Sequence, residues 1–164
     1  MSSELQALIQ QLKDVQSGKL WMGANFDRML RDLKPEEAFV RPMADLHSVA
    51  EIISHLSFWR QETIEKVRHG KGTQMDDSPG NWRGNAELKP LGWETLKQTY
   101  DQTLVELIAL LESKDDSFLD EIYHDPDYRG DYPYRFVLQG MLQHDLYHLG
   151  QLGLIMKYLR KGRG

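Results

Sequence analysis

The sequence predicts an all-α domain built as a four-helix bundle. Three observations carry that prediction. Apolar residues recur at helical spacing in four long stretches, Gly and Pro punctuate the gaps between them, and no strand-rich half is visible. With 164 residues, 40% hydrophobic and 27% charged, the chain has the size and composition of one globular domain, spanning 1–164, with enough length to bury a core.

The first helix is expected over residues 4–16, where Leu5, Leu8, Ile9 and Leu12 share a face and Gly18 ends the pattern. A second piece is expected over 23–33, with Phe26, Met29, Leu30 and Leu33 in phase, stopped by Pro35; one short turn near Glu36–Ala38 follows. The next helix has the clearest start. Ser48 and Glu51 form a capping box, in which each side chain can satisfy the other's backbone amide. An apolar stripe then runs from Val49 to Val67, and Gly70 ends it. Residues 70–90 are polar and rich in Gly and Asp, a long connection by the standard of bundles, which leaves room for a crossover. Trp82, inside that connection, either covers a pocket or plugs the bundle end. A further helix is expected over 91–112, with Leu96, Tyr100, Leu104, Leu107, Ile108 and Leu111 inward. Residues 113–132 are read as loop with a short turn and a small extended piece. The last helix starts near Pro133, a residue suited to a first turn, and runs to about 160.

The absence of cysteine excludes disulfides, zinc–cysteine sites and a cysteine nucleophile, so any metal must be held by nitrogen and oxygen. The net charge of −5 argues against a nucleic-acid partner, and the basic tail Arg160–Gly164 reads as a solvated helix end. No apolar run approaches the roughly 20 residues that span a bilayer. The N-terminal stretch lacks the pattern of a secretory signal, so a cytoplasmic location with no membrane partner is expected.

The candidate chemistry lies in His144-Asp145-Leu146-Tyr147-His148. Histidines four apart project from one helix face, and these two sit in phase with Val137, Met141, Ile155 and Leu159, where a bundle would place Leu or Val. Two buried imidazoles on one stripe must satisfy their nitrogens; hydrogen bonds to neighbours would do so, and so would a shared metal ion. His55 is the best-placed inward histidine elsewhere and the third candidate ligand. His47 could lean over a pocket mouth but reads first as a staple-like or solvent position, His69 reads as a residue of a helix's last turn, and His124 as a loop residue. Asp145 stands where the zinc-protease pattern HExxH has its Glu base, but is one methylene shorter; it is read as a flank residue making a surface or subunit contact. Three imidazoles leave coordination positions open, as catalytic rather than closed structural sites do. Imidazole suits zinc, nickel, iron and copper; a divalent ion, zinc or nickel first, is expected.

The order of short motifs also carries a resemblance. Trp21-Met22-Gly23, Arg41-Pro42, the helix start His47-Ser48-Val49-Ala50-Glu51-Ile52, His55-Leu56 with Trp59, Trp93, and the terminal His144-Asp145-x-x-His148-x-Gly150-Gln151 together resemble the DinB-like superfamily. The resemblance covers nearly the whole chain. It implies an up-down-down-up bundle, a divalent metal on His55, His144 and His148, a homodimer, and Gln151 lining the site. Characterised relatives include S-transferases and isomerases that use a low-molecular-weight thiol as co-substrate. The expected function is therefore a metal-dependent S-transferase or hydrolase acting on a small-molecule electrophile, with Trp21, Asn25, Trp59 and Trp82 as candidate pocket walls. The rival readings are a non-catalytic, damage-inducible metal-binding homodimer and a purely structural bundle that holds no metal.

Overall fold

The computed structural model describes residues 3–161. The end of the basic tail, Gly162, Arg163 and Gly164, lies outside the described residues. In chain order the elements are α1 (Glu4–Gln16), α2 (Phe26–Leu30), α3 (Val49–His69), α4 (Asn85–Leu88), α5 (Trp93–Glu112), β1 (Ile122–Asp125), β2 (Gly130–Pro133) and α6 (Tyr134–Lys161). Short 3-10 turns occur at Glu37–Phe39, Lys89–Leu91 and Asp116–Asp120.

Local chemistry explains most boundaries. Ser48 Oγ accepts from the Glu51 amide at 3.2 Å while the Ser48 amide donates to Glu51 Oε2 at 2.8 Å, so the capping box starts α3. Gly70, at φ 70°, adopts the left-handed conformation that closes it. The piece expected over 23–33 shrinks to Phe26–Leu30. Asn25 caps it, and Gly23, at φ 73°, belongs to the preceding turn. The connection of residues 70–92 holds α4 and a 3-10 turn, and the extended piece is an antiparallel hairpin of β1 and β2. His124, expected in a loop, lies in β1 and pairs with Asp131 across the hairpin.

The four long helices pack so that α1 and α3 each contact both α5 and α6. Residue contacts fix their relative senses. The amides of Glu4 and Leu5 donate to Asp116, just beyond α5, while Gln16 reaches Asp101 within it, so α1 and α5 run oppositely. The starts of α1 and α6 meet through Glu4 and Arg135. Arg60 reaches Tyr100 and Arg68 reaches Glu106, so α3 and α5 run the same way. The Tyr134 hydroxyl donates to the Lys66 carbonyl, and His55 faces His144, so α3 and α6 run oppositely. Because α3 and α5 share a direction, residues 70–92 must travel back along the bundle. That is the physical reason for the long connection.

The interior is two apolar clusters. One gathers Val49, Ile53, Leu56, Trp93, Leu152 and Ile155, the other Leu5, Leu12, Ile64, Leu107, Leu111 and Leu138. Between them, at the level of Arg60 on α3 and Asp145 on α6, lies a polar layer. Layers of this kind are confined to places where each polar group finds a partner. In this one, some groups find partners within the chain and others do not.

Candidate metal centre

The three histidines expected to converge do meet. His55 on α3 and His144 and His148 on α6 bring one ring nitrogen each within 4.8 Å of the others. The Nε2 atoms of His55 and His144 are 2.9 Å apart, and those of His148 and His144 are 3.1 Å apart. The cause is helical geometry. His144 and His148 stack one turn apart on α6, and the opposite course of α3 places His55 across from both.

Neighbouring groups fix the tautomers. His55 Nδ1 lies 3.2 Å from the main-chain carbonyl of Asn81, which can only accept, so Nδ1 carries the proton and Nε2 a lone pair. His148 Nδ1 donates to Gln151 Oε1 at 2.7 Å, so its Nε2 is also a lone pair. Both lone pairs point at His144 Nε2, which can carry at most one proton. A neutral cluster therefore leaves at least one nitrogen without a donor. Protonation is not the remedy. Burial, followed by the charge of His148, pushes His55 down to about 4. Burial, followed by the other two imidazoles and Arg60, pushes His144 down to about 3. Burial also lowers His148. Neutral imidazoles with converging lone pairs suit a cation, and the Asn81 carbonyl and Gln151 amide are the outer partners that ligand histidines ordinarily have. Ligands about 2.0–2.1 Å from a shared tetrahedral zinc sit about 3.3 Å apart, close to the two spacings to His144.

The layer's other half draws its partners from within the chain and leaves two buried atoms, Arg60 Nε and Asp145 Oδ1, without one. Arg60 and Asp145 are both fully buried, and Arg60 Nη2 donates to Asp145 Oδ2 at 2.8 Å. The same nitrogen reaches the Tyr100 hydroxyl at 2.9 Å, and Gln16 Oε1 accepts from both terminal nitrogens. The guanidinium carbon lies 4.1 Å from the Tyr100 ring centre. Asp145 is thus not the surface or subunit contact that the sequence suggests. Lying one residue past His144, it is turned about 100° around α6 from that ring, and with Arg60 it ties α6 to α3 beside the histidines.

Trp82 covers the site rather than plugging the bundle end. Its ring stacks between His47 and His55, with centroids 3.9 and 3.8 Å away and planes within 10° of parallel. Of the two readings of His47, the pocket-mouth one therefore holds, and the staple or solvent position expected first does not. Asn81, which sequence reasoning missed, is buried and holds this loop. Its Oδ1 accepts from Trp59 Nε1 at 2.9 Å, and its Nδ2 donates to the Asp76 carbonyl at 2.7 Å. Its position beside Trp82 in a long connection was the one available signal.

A cavity of about 860 Å³ opens from the histidines. Trp59, Trp82 and Gln151 line it. Trp21 and Asn25 do not. Trp21 is fully exposed, because the 20–23 turn, closed by the Gly23 amide on the Leu20 carbonyl, holds it in solvent. Asn25 uses its side chain locally, accepting from the Arg28 amide at 2.8 Å and donating to the Gly18 carbonyl at 2.7 Å.

Comparison with known proteins adds the family. Residues 20–152 match the DinB superfamily. The chain belongs to that superfamily. Among solved structures, YfiT from Bacillus subtilis, described as "a probable metal-dependent hydrolase with an unusual four-helix bundle topology", is similar at a TM-score of 0.67 and 11% identity, with 97% of this chain and 90% of that chain covered. The DinB-like protein YjoA, also from Bacillus subtilis, is similar at a TM-score of 0.61 and 12% identity, with 96% and 92% covered. No curated protein sequence shows a significant match. At these identities the solved structures establish the fold. No helix among the described residues is long and apolar enough to cross a membrane.

Proposed function

We propose that this DinB-superfamily chain is a metal-dependent hydrolase that holds a divalent ion, zinc or nickel, on His55, His144 and His148 and acts on a small-molecule electrophile. The observation that carries the reading is the pair of fixed tautomers, which aim two lone pairs at a third, half-buried imidazole from which no proton can satisfy both. The adjoining cavity supports catalysis over a closed structural site, since it leaves room for a substrate beside the ligands.

An ion bound there supplies Lewis acidity and makes a water, or a thiol co-substrate, a better nucleophile at neutral pH. The chain's own residues do the rest. Asn81 and Gln151 hold the His55 and His148 rings in one tautomer and orientation. Trp82 and His47 wall one side of the triad and exclude bulk water from it. Arg60 and Asp145 fix the spacing between the helices that carry the ligands. The thiol-transfer version shares all of this and differs only in the nucleophile.

The helix senses described above support an up-down-down-up course with a crossover between α3 and α5. A homodimer belongs to the same reading. Tyr147, Leu154 and Tyr158 lie seven and four apart, so they share one exposed stripe of α6 that a second copy could cover. Light scattering on the full chain tests it, and a monomer at micromolar concentration would remove it.

The deciding experiment is titration of chelator-treated protein with zinc and nickel, followed by ester, amide and thiol-conjugation assays on the loaded form. One ion per chain, with turnover that His144→Ala abolishes together with binding, is expected. Retention of both by that variant would overturn the proposal.

A further inference from the structure

The cavity runs along the trough between α3 and α6. His55, Trp59, Thr63 and Lys66 line it from α3, and His148, His144, Gly140 and Val137 from α6. Each series spans eleven residue steps, a rise of about 16 Å. The histidines occupy one end. The other end is aromatic and acidic, built from Tyr123, Asp125, Asp127, Tyr128 and Phe136. Tyr128 packs edge-on to Phe136 at 5.3 Å between centroids. The volume of about 860 Å³ matches a drug-sized molecule, and a metal with one nucleophile fills only a fraction of it.

The charges on the lining have a definite sign. Its one lysine, Lys66, is already engaged: Asp125 Oδ2 accepts from Nζ at 2.9 Å, and Glu62 lies 4.0 Å away. No arginine lines the cavity among the described residues. Asp76 and Asp127 face the same space without a cationic partner in the lining, and Asp127 is drawn in by the Asp76 amide at 2.8 Å. An anionic body would thus meet carboxylates with no free cation to receive it. A cationic group would meet carboxylates at the rim and aromatic faces along the wall, the combination that favours cations over anions.

We infer that the substrate of this site is an elongated molecule with an aromatic or aliphatic body and a positively charged amine at the end remote from the histidines. This deepens the metal-dependent reading, because it assumes that the reacting bond is held at the histidine end. It also disfavours a nucleophile or substrate that carries several carboxylates or phosphates.

The test uses full-length, chelator-treated protein, so that no metal can attract an anion, and isothermal calorimetry with three matched probes: 4-phenylbutylammonium, 4-phenylbutanol and 4-phenylbutyrate. The ammonium is expected to bind about tenfold more tightly than the alcohol, the scale of one favourable cation–π contact, and the carboxylate not to bind measurably. The second arm fills the trough. A Cβ on Gly140 meets nothing within 4 Å, so Gly140→Leu fits the fold while projecting into the space the probe needs. It should abolish ammonium binding with helical content and melting temperature retained. Binding of the carboxylate as tight as that of the ammonium, absence of ammonium binding, or unchanged binding in folded Gly140→Leu would each overturn the inference. A parallel cobalt titration followed by visible absorption separates the two readings. Cobalt binding without ammonium binding removes only the substrate class, and ammonium binding without cobalt binding removes only the metal.

Discussion

The polar layer of the bundle contains two clusters that differ by one residue in sequence and behave in opposite ways. Asp145 faces Arg60 as its counter-charge, and Tyr100 and Gln16 add hydrogen bonds from within the protein, leaving Arg60 Nε and Asp145 Oδ1 unpartnered. His144 and His148, on either side of Asp145, face His55 and a cavity, with more acceptors than protons among them. Both clusters are costly to bury. The opposite charges of the first balance one another within the chain, whereas the converging lone pairs of the second are balanced only by something added. A buried polar group is therefore a poor guide to function until its donors and acceptors are counted.

The comparison breaks most visibly at the Arg60–Asp145 cluster. Asp145→Ala would leave a guanidinium buried and unpaired, and should cost about 3–5 kcal/mol in denaturant unfolding. Arg60→Met with Asp145→Leu should recover most of that loss, since apolar replacement of a buried pair is often neutral. A single substitution costing less than about 1 kcal/mol would mean that the pair is not holding α3 to α6.

At the open cluster the expected effects are on binding. Gln151→Ala removes the acceptor that fixes His148, and should weaken zinc binding about 10–100-fold in a chelator competition while changing metal-free stability little. Loss of stability without loss of affinity would reverse the assignment of the two clusters.

The most diagnostic effect is that of pH on the metal-free protein. His55 and His144 fall to about 4 and about 3 when folded, against an ordinary value near 6.5. Above pH 6.5 both states are neutral there and the rings contribute nothing. As pH falls from about 6.5 toward 4, the unfolded chain takes up protons that the folded chain refuses, so stability is lost. A melting temperature that falls across that window, and falls less in His144→Ala, is the expected outcome. A flat profile would mean that the rings are not desolvated.

Much of this arrangement was legible in the sequence. Helical periodicity placed the four long helices, the Ser48–Glu51 box placed the start of α3 to the residue, and the i, i+4 histidines with His55 marked where the site would form. Other features were not legible, because they depend on contacts distant in sequence. The stretch around Phe26 has helical phase, but the Asn25 cap and the Gly23 turn shorten it. Asp145 reads as a surface residue because its partner, Arg60, lies 85 positions away. Trp21 carried family resemblance but no pocket, since nothing in a Trp-x-Gly motif says which way its turn will face. Asn81 has no pattern around it, and its role follows only from the return path of residues 70–92.

Trp82 gives the site an optical gauge. An indole sandwiched between two imidazoles, one of them a candidate ligand, is sensitive to any change in the charge or position of those rings. Emission from this one tryptophan, isolated by replacing the other three with phenylalanine, would report occupancy in real time, on unlabelled protein and before any substrate is known.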